Sequence, residues 1–418
     1  MAEGCNRVLT SRLRGLHYGE PFGTCVGAAG GGELSQAIFD AVTALLPSIS
    51  ARSGEIERIR RLPDDLLSDL RATGVFGMPM PRAWGGPEVS LPDQLRIVEL
   101  LSTADTAAGW CVMIGSDAGF YSAMLDDDAG RALWPELDMI TAGWLVPAGR
   151  GVRVDGGYSV SGRWAFGSCC LHADVMAGGF LVFNRTGAME MRDDGLPVAR
   201  VGLAPASSWT ILDTWYTTGL AGSGSNDYEC TDLFIPESNT FSLGDHGKRP
   251  GPLYRMPGAF FANAHGVPLG LARRVLDEAR EIIDKKVIFP QMLAMRDVSR
   301  VRDAVGEAEI LFRSTRAYAY AALESVWASL QADQPLTQEQ RADLTLSRVQ
   351  CFRMAREVAQ RMVCTVGTQA IYASSPLDRL LRDSVTMAQH VVGGSVIGEA
   401  AVGLLFGIEP PPGLGSLV

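Results

Sequence analysis

His390 and Ser168 are the residues whose types and settings best suit chemistry in this chain. An imidazole with an unperturbed pKa of about 6.5 is mostly neutral at pH 7, so it can take a proton from a hydroxyl but not from an unactivated carbon. His390 ends the run Ser375-Pro-Leu-Asp-Arg-Leu-Leu-Arg-Asp-Ser-Val-Thr-Met-Ala-Gln-His390, and Val391 follows it. Ser168 closes Arg163-Trp-Ala-Phe-Gly-Ser168, and its hydroxyl can donate or accept a hydrogen bond. Of the remaining histidines, His172 reads as a turn residue and His265 as a structural residue on a small-residue helix face, while His17 and His246 have no supporting context. The eight cysteines form no Cys-x-x-Cys pair, so no metal site is expected.

Composition narrows the function classes. A net charge of -10 argues against a nucleic-acid partner, which would need a basic face. Arg58-Ile-Arg-Arg61 and Lys285-Lys286 read as solvated helix faces. No Gly-x-Gly-x-x-Gly joins a strand to a helix, so a Rossmann nucleotide domain is not expected. The apolar stretch from Val391 to Ile408 is interrupted by Glu399 and by glycines, which suits a buried helix better than a membrane span. A long chain rich in apolar residues needs no disulfides, which fits a reducing, cytoplasmic compartment.

The elements that must position these residues fall into three textures. Residues 1–32 lack a continuous apolar core and read as a flexible tail rather than a secretory signal. Residues 33–146 are helical: Leu34, Ile38, Val42 and Leu45 share a face, a loop spans Gly74 to Gly86, and a long apolar helix is expected around Asp93 to Met124. Residues 147–252 are β, with a hairpin turning at Asp155-Gly156-Gly157 and short strands that suggest an antiparallel barrel or sandwich. Residues 253–418 read as a bundle of long helices, expected near 258–287, 299–332, 337–372, 377–389 and 395–406.

This order resembles the acyl-CoA dehydrogenase fold, an α+β architecture with a helical front, a central β domain and a C-terminal four-helix bundle. Four motifs carry the resemblance over nearly the whole chain after Glu33: the loop Gly74–Gly86, Ser161–Asp174, Asp213–Asp227 followed by Asp232-Leu-Phe-Ile-Pro-Glu237, and Pro376–Asp383. The departures matter as much. Counting from Arg382-Asp383, the place of the dehydrogenase glutamate base is Val391. The alternative base position, before Pro268-Leu-Gly-Leu271, offers Phe260 and Phe261, and the usual Thr-Glu-Pro appears as Leu145-Val146-Pro147. α-Proton abstraction needs a positioned base. The chain is therefore more similar to the flavin-dependent monooxygenases built on this fold, the oxygenase components of two-component systems.

That resemblance implies reduced FMN or FAD, supplied by a partner flavin reductase, with O2 as co-substrate. The resulting C4a-hydroperoxyflavin would oxygenate an aromatic or phenolic small molecule. It implies a hydroxyl at Ser168 near flavin N5, an aromatic at Phe166 packed on the isoalloxazine, and a loop Gly222–Asp227, with Ser223 and Ser225, near the flavin. Trp144 and Trp164 are expected beside the cofactor. Trp110, Asp117, Tyr121 and Phe260 are expected around the substrate, and His390 is expected to deprotonate a phenol or to hydrogen-bond the hydroperoxide. The segment Val366–Ile371 keeps only one glycine of the family's adenosine-holding loop, which is compatible with FMN. A cross-subunit flavin site implies a homotetramer or dimer. Three alternatives stay open: an amine-oxidising nitrososynthase type, an acyl-CoA dehydrogenase-like oxidoreductase with a relocated base, and a catalytically silent binding subunit.

Overall fold

Ile38, Val42, Leu46 and Ile49 recur every three or four residues, and the helix Gly32–Ala51 buries all of them. The buried stripe differs slightly from the expected one. Leu34 is exposed and Leu45 only half-buried, because the stripe turns toward Leu46. The computed structural model describes residues 32–418 apart from 246, 257, 412, 413, 416 and 417. The expected N-terminal tail, His17 and His246 lie outside the described residues, except that Gly32 begins the first helix.

The single helix expected from Asp93 to Met124 is three: Leu91–Ala104, Thr106–Gly115 and Ala118–Ala123. Asp105 makes the first break. Its backbone is extended, and its carboxylate accepts from the Ala108 N–H at 2.9 Å, so it caps the second helix. Apolar periodicity alone hides this break, since residues on both sides are buried.

The central domain is one seven-stranded sheet of order β5-β6-β2-β1-β3-β4-β7. Its strands are β1 Thr141–Val154, β2 Gly157–Gly167, β3 Val175–Phe183, β4 Ala199–Pro205, β5 Thr210–Leu212, β6 Asn226–Pro236 and β7 Thr240–Phe241. The hairpin forms as expected: Val154 faces Gly157 across Asp155-Gly156, with Gly156 at φ +78°. The sheet is not wholly antiparallel, because β1 and β3 run parallel. The chain leaves β2 through the turn Cys170–His172 and returns on the other side of β1. The β1–β3 register shifts on both sides of Pro147, whose ring nitrogen cannot donate to the ladder.

The C-terminal region starts with a 3-10 turn, Ala259–His265, rather than a full α-helix from Gly258. The helices Gly266–Lys285, Ser299–Gln331, Gln338–Val366, Pro376–Met387 and Ser395–Leu405 follow. Thr337 and Gln340 form a reciprocal capping box at the start of Gln338–Val366. The bundle is locked to the front domain by buried Glu99, which accepts from Arg316 at 2.7 Å and from the Tyr320 hydroxyl at 2.5 Å. His265 is structural: its ring nitrogens lie 3.1 Å from the Ala262 carbonyl and from Ser347 Oγ, and burial pulls its pKa down to about 3. The apolar segment from Val391 becomes a 3-10 turn and an eleven-residue helix, too short to span a bilayer.

Candidate active site

The turn after β2 is tightly wound. Phe166 adopts φ +62° and the Ser168 N–H closes on the Phe166 carbonyl at 2.8 Å. A bulky residue at positive φ is strained, and here the Phe166 ring stands outward with 54% of its surface exposed. Trp144 lies on one side with ring centres 5.8 Å apart, and Trp215 on the other at 6.3 Å. Nothing in the sequence singles out Trp215 for this role. It reaches this place by donating its indole N–H to the Leu220 carbonyl at 3.0 Å.

Ser168 makes its side-chain hydrogen bonds within the protein. Its Oγ accepts from Trp110 Nε1 at 3.0 Å and lies 2.8 Å from Ser225 Oγ. Ser225 Oγ is 2.7 Å from Ser223 Oγ, which donates to the Leu220 carbonyl at 2.7 Å. All three serines are buried. Ser223 and Ser225 therefore stand behind Ser168 rather than beside it. Gly222 lets this loop press on the protein. A Cβ there would stand 2.2 Å from Ile56 Cγ2 and 3.0 Å from Ala107 Cβ.

The helix Pro376–Met387 anchors this loop. Asp383 accepts from the Leu220 N–H at 2.7 Å, and Arg382 donates to the Thr218 carbonyl and to Glu57. Gly219 permits the contact, since a Cβ would meet the Arg382 carbonyl at 2.2 Å. Burial raises the Asp383 pKa to about 7. One Arg-Asp pair thus fixes both the serine loop and the helix that leads to His390.

His390 is half-buried, and its ring stands edge-on to Trp110 with centres 5.1 Å apart. Trp110 therefore touches both Ser168 and His390. The Val392 N–H points at His390 Nδ1 over 3.4 Å, a long contact that suits the neutral tautomer with its proton on Nε2. Burial, and then the Arg348 guanidinium, lower the His390 pKa to about 4. Buried Arg348 also donates to the Val392 carbonyl at 3.1 Å, so it holds the turn. Burial thus favours the neutral ring, and the contact with Val392 leaves Nε2 as its donor.

A second group lies farther along the front helices. Tyr121 packs edge-on to Phe260 at 5.6 Å and against Phe241 at 5.8 Å. Asp117, one turn before Tyr121, is buried, and its Oδ1 has no hydrogen-bond partner. Burial pushes its carboxyl well above the usual range, toward the neutral acid, against a hydrogen bond with Tyr121 that acts the other way. Asn263, three residues after Phe260 on the same 3-10 turn, is also buried with both amide atoms unpartnered. Neither Phe241 nor Asn263 carries a sequence signal.

Trp164 does not join the site. It is fully buried in the β domain, donates to the Gly179 carbonyl at 2.7 Å and stacks on Tyr228. His172 is likewise structural, accepting from the Leu62 N–H at 3.1 Å. Val391 occupies the dehydrogenase base position and brings no carboxylate. Among the described residues, no group of three or more His, Cys, Asp or Glu is arranged to hold a metal.

Residues 33–126 match the acyl-CoA dehydrogenase N-terminal domain, and residues 264–393 match the acyl-CoA dehydrogenase C-terminal domain. The chain is 31% identical over 365 residues to an indole-3-acetate monooxygenase of Pseudomonas putida, covering 87% of this chain and 92% of that one. This chain belongs to the flavin-dependent monooxygenases of the acyl-CoA dehydrogenase fold. It is also 29% identical to the oxygenase subunit HsaA, a flavin-dependent monooxygenase of Rhodococcus jostii, over 82% of this chain and 90% of that one. The crystal structure of the HsaA monooxygenase from M. tuberculosis superposes with a TM-score of 0.83 at 25% identity, covering 92% of this chain and all of that one.

As a flavin-dependent monooxygenase it uses reduced flavin and O2. The residues present fit such a cofactor. Phe166, Trp144 and Trp215 offer an outward aromatic edge for the ring system. Behind them Ser168 supplies a polar atom within a closed hydrogen-bond network.

Proposed function

We propose that this monooxygenase inserts one oxygen atom into an electron-rich aromatic ring, of indole type, that needs no prior deprotonation. The observation that carries this reading is the contact of the Val392 N–H with His390 Nδ1, which leaves Nε2 to donate. A neutral imidazole with its proton on Nε2 and a pKa near 4 donates a hydrogen bond and is a weak base. A phenol would gain little from it, whereas the nitrogen-activated ring of an indole is nucleophilic without a base. The similarity to an indole-3-acetate monooxygenase supports the same substrate class.

The roles divide accordingly. Bound reduced flavin supplies the activation of O2. Phe166, Trp144 and Trp215 would hold the flavin ring, and Ser168 would meet its N5. Trp110, Tyr121 and Phe260 wall the substrate and keep out water, which would divert the oxygen to peroxide. His390 donates a hydrogen bond to the oxygen being transferred, and the neutral Asp117 carboxyl meets a polar group of the substrate.

A separate flavin reductase supplies the reduced flavin, in keeping with the two-component relatives. The assembly is a homotetramer. The last helix and its end leave Val396, Val402, Leu405, Phe406 and Ile408 exposed, an apolar face suited to a second copy. A cytoplasmic location agrees with the unpaired Cys111, Cys169, Cys170, Cys230 and Cys351. The three parts expected at 33–146, 147–252 and 253–418 are kept, with the first boundary moved to Thr141, where β1 begins.

The test is a single-turnover reaction. The protein is loaded anaerobically with reduced FMN or reduced FAD and mixed with 18O2 in the presence of indole-3-acetate or 4-hydroxyphenylacetate. Labelled product is expected from the indole and much less from the phenol. Labelled product from the phenol alone overturns the substrate reading, and unlabelled substrate throughout overturns the reaction.

A further inference from the structure

The serine chain behind the site is polarised from end to end. Trp110 Nε1 can only donate, and the Leu220 carbonyl can only accept. Between them lie the hydroxyls of Ser168, Ser225 and Ser223, linked by contacts of 3.0, 2.8, 2.7 and 2.7 Å. Four contacts must be filled by four protons: the indole proton and one from each hydroxyl. Ser223 donates to Leu220, so Ser225 must donate to Ser223 and Ser168 must donate to Ser225. The Ser168 proton is therefore committed to the interior. Toward the site, Ser168 has only a lone pair to offer.

That matters for a flavin, because the N5 atom changes sign with redox state. In reduced flavin N5 carries a hydrogen and donates. In oxidised flavin N5 is a bare acceptor. We propose that Ser225 and Ser223 are specificity-determining residues: they hold the Ser168 proton away from the flavin, so the site takes the reduced, N5–H form in preference to the oxidised one. The inference rests on the reading that places Ser168 at N5. It explains how an oxygenase fed by a reductase binds its incoming flavin and releases the spent form without any moving part. Asp383 keeps the device in register, since it accepts from the N–H of Leu220, the residue whose carbonyl ends the chain.

The test compares dissociation constants for oxidised and reduced FMN, measured aerobically and anaerobically, together with the midpoint potential of bound FMN. Wild type is expected to bind reduced FMN more tightly. In Ser225→Ala the Ser168 proton loses its acceptor and turns to the site, so the oxidised-to-reduced ratio falls roughly tenfold, the scale of one hydrogen bond. The midpoint potential of bound FMN falls with it, by about 30 mV per tenfold change. Ser223→Ala, one hydroxyl farther from the flavin, gives the same direction, because Ser225 can then turn its proton to Ser168. Ser225→Thr keeps the wild-type ratio. A purely structural loosening would weaken both forms together and leave the ratio and potential in place. Ratios within about twofold of wild type in both alanine variants overturn the inference while the flavin reading stands. Failure of wild type to bind either form overturns the flavin reading itself.

Discussion

The two ends of the site are built on opposite plans. Around Ser168 every hydrogen-bonding group has its partner, from the Trp110 indole to the Leu220 carbonyl. Around Asp117 and Asn263, buried polar atoms are left without one. Buried polar groups without partners cost stability, and such sites are kept where a ligand completes them. On the proposed reading the closed end would serve a cofactor whose geometry is constant, and the open end a substrate that brings its own polar groups. Trp110 sits between them, with its N–H spent on Ser168 and its ring edge against His390.

Breaking the shared residue should have the largest effect. Trp110→Ala removes a buried indole and should cost about 3–5 kcal/mol of stability. Product formation should collapse with it. A Trp110→Phe variant should recover most of the stability in thermal unfolding but leave Ser168 without its N–H donor. Loss of both properties in equal measure in the two variants would erase the distinction between packing and hydrogen bonding at this position.

Next in size is the anchor of the closed end. Asp383→Ala strands the buried Leu220 N–H, at a cost of about 1–3 kcal/mol in denaturant unfolding. Asp383→Asn keeps an acceptor and should stay near wild type. An Asn variant as unstable as the Ala variant would contradict the hydrogen-bond role.

The open end should respond in the opposite sense. The folded-state pKa of Asp117 is raised, so its contribution to stability is present below the unfolded value near 3.8 and is lost as pH rises toward its folded pKa. Asp117→Asn removes that loss. The variant should melt higher than wild type at pH 8 and gain less at pH 4.5, while binding of the aromatic substrate weakens. A variant that melts lower at pH 8 would show that the carboxyl is satisfied in solution.

The smallest effect concerns pH and rate. His390 stays neutral down to about pH 4, so kcat/KM should show no limb from it between pH 5 and 8. A limb near 6.5 that disappears in His390→Gln would restore the role of base.

Much of this arrangement is legible in the chain, and the rest is hidden for physical reasons. Ser168, His390 and Trp110 announce themselves through residue type and through the motifs around them, and the structure brings them together. The hairpin at Asp155-Gly156 is equally local, because a two-residue turn states its own geometry. The break at Asp105 is a capping event inside an apolar run, invisible to periodicity. Trp164 and Trp215 look alike in sequence, yet one fills the β core and the other flanks Phe166. Only strand register and the bond to Leu220 separate them. The order of the serine chain depends on contacts between residues 110, 168, 220, 223 and 225, which no window of sequence holds together. The tautomer of His390 depends on one backbone N–H two residues on.

The central claim is that the closed end holds reduced flavin productively for oxygen transfer to an aromatic ring. The most direct measurement counts oxygen atoms. Protein loaded anaerobically with reduced flavin and indole-3-acetate is mixed with 18O2, and labelled product and hydrogen peroxide are quantified against flavin. Labelled product close to stoichiometric with flavin, and little peroxide, is the predicted result. Peroxide close to stoichiometric with flavin, no labelled product, and reoxidation at the rate of free flavin would contradict it.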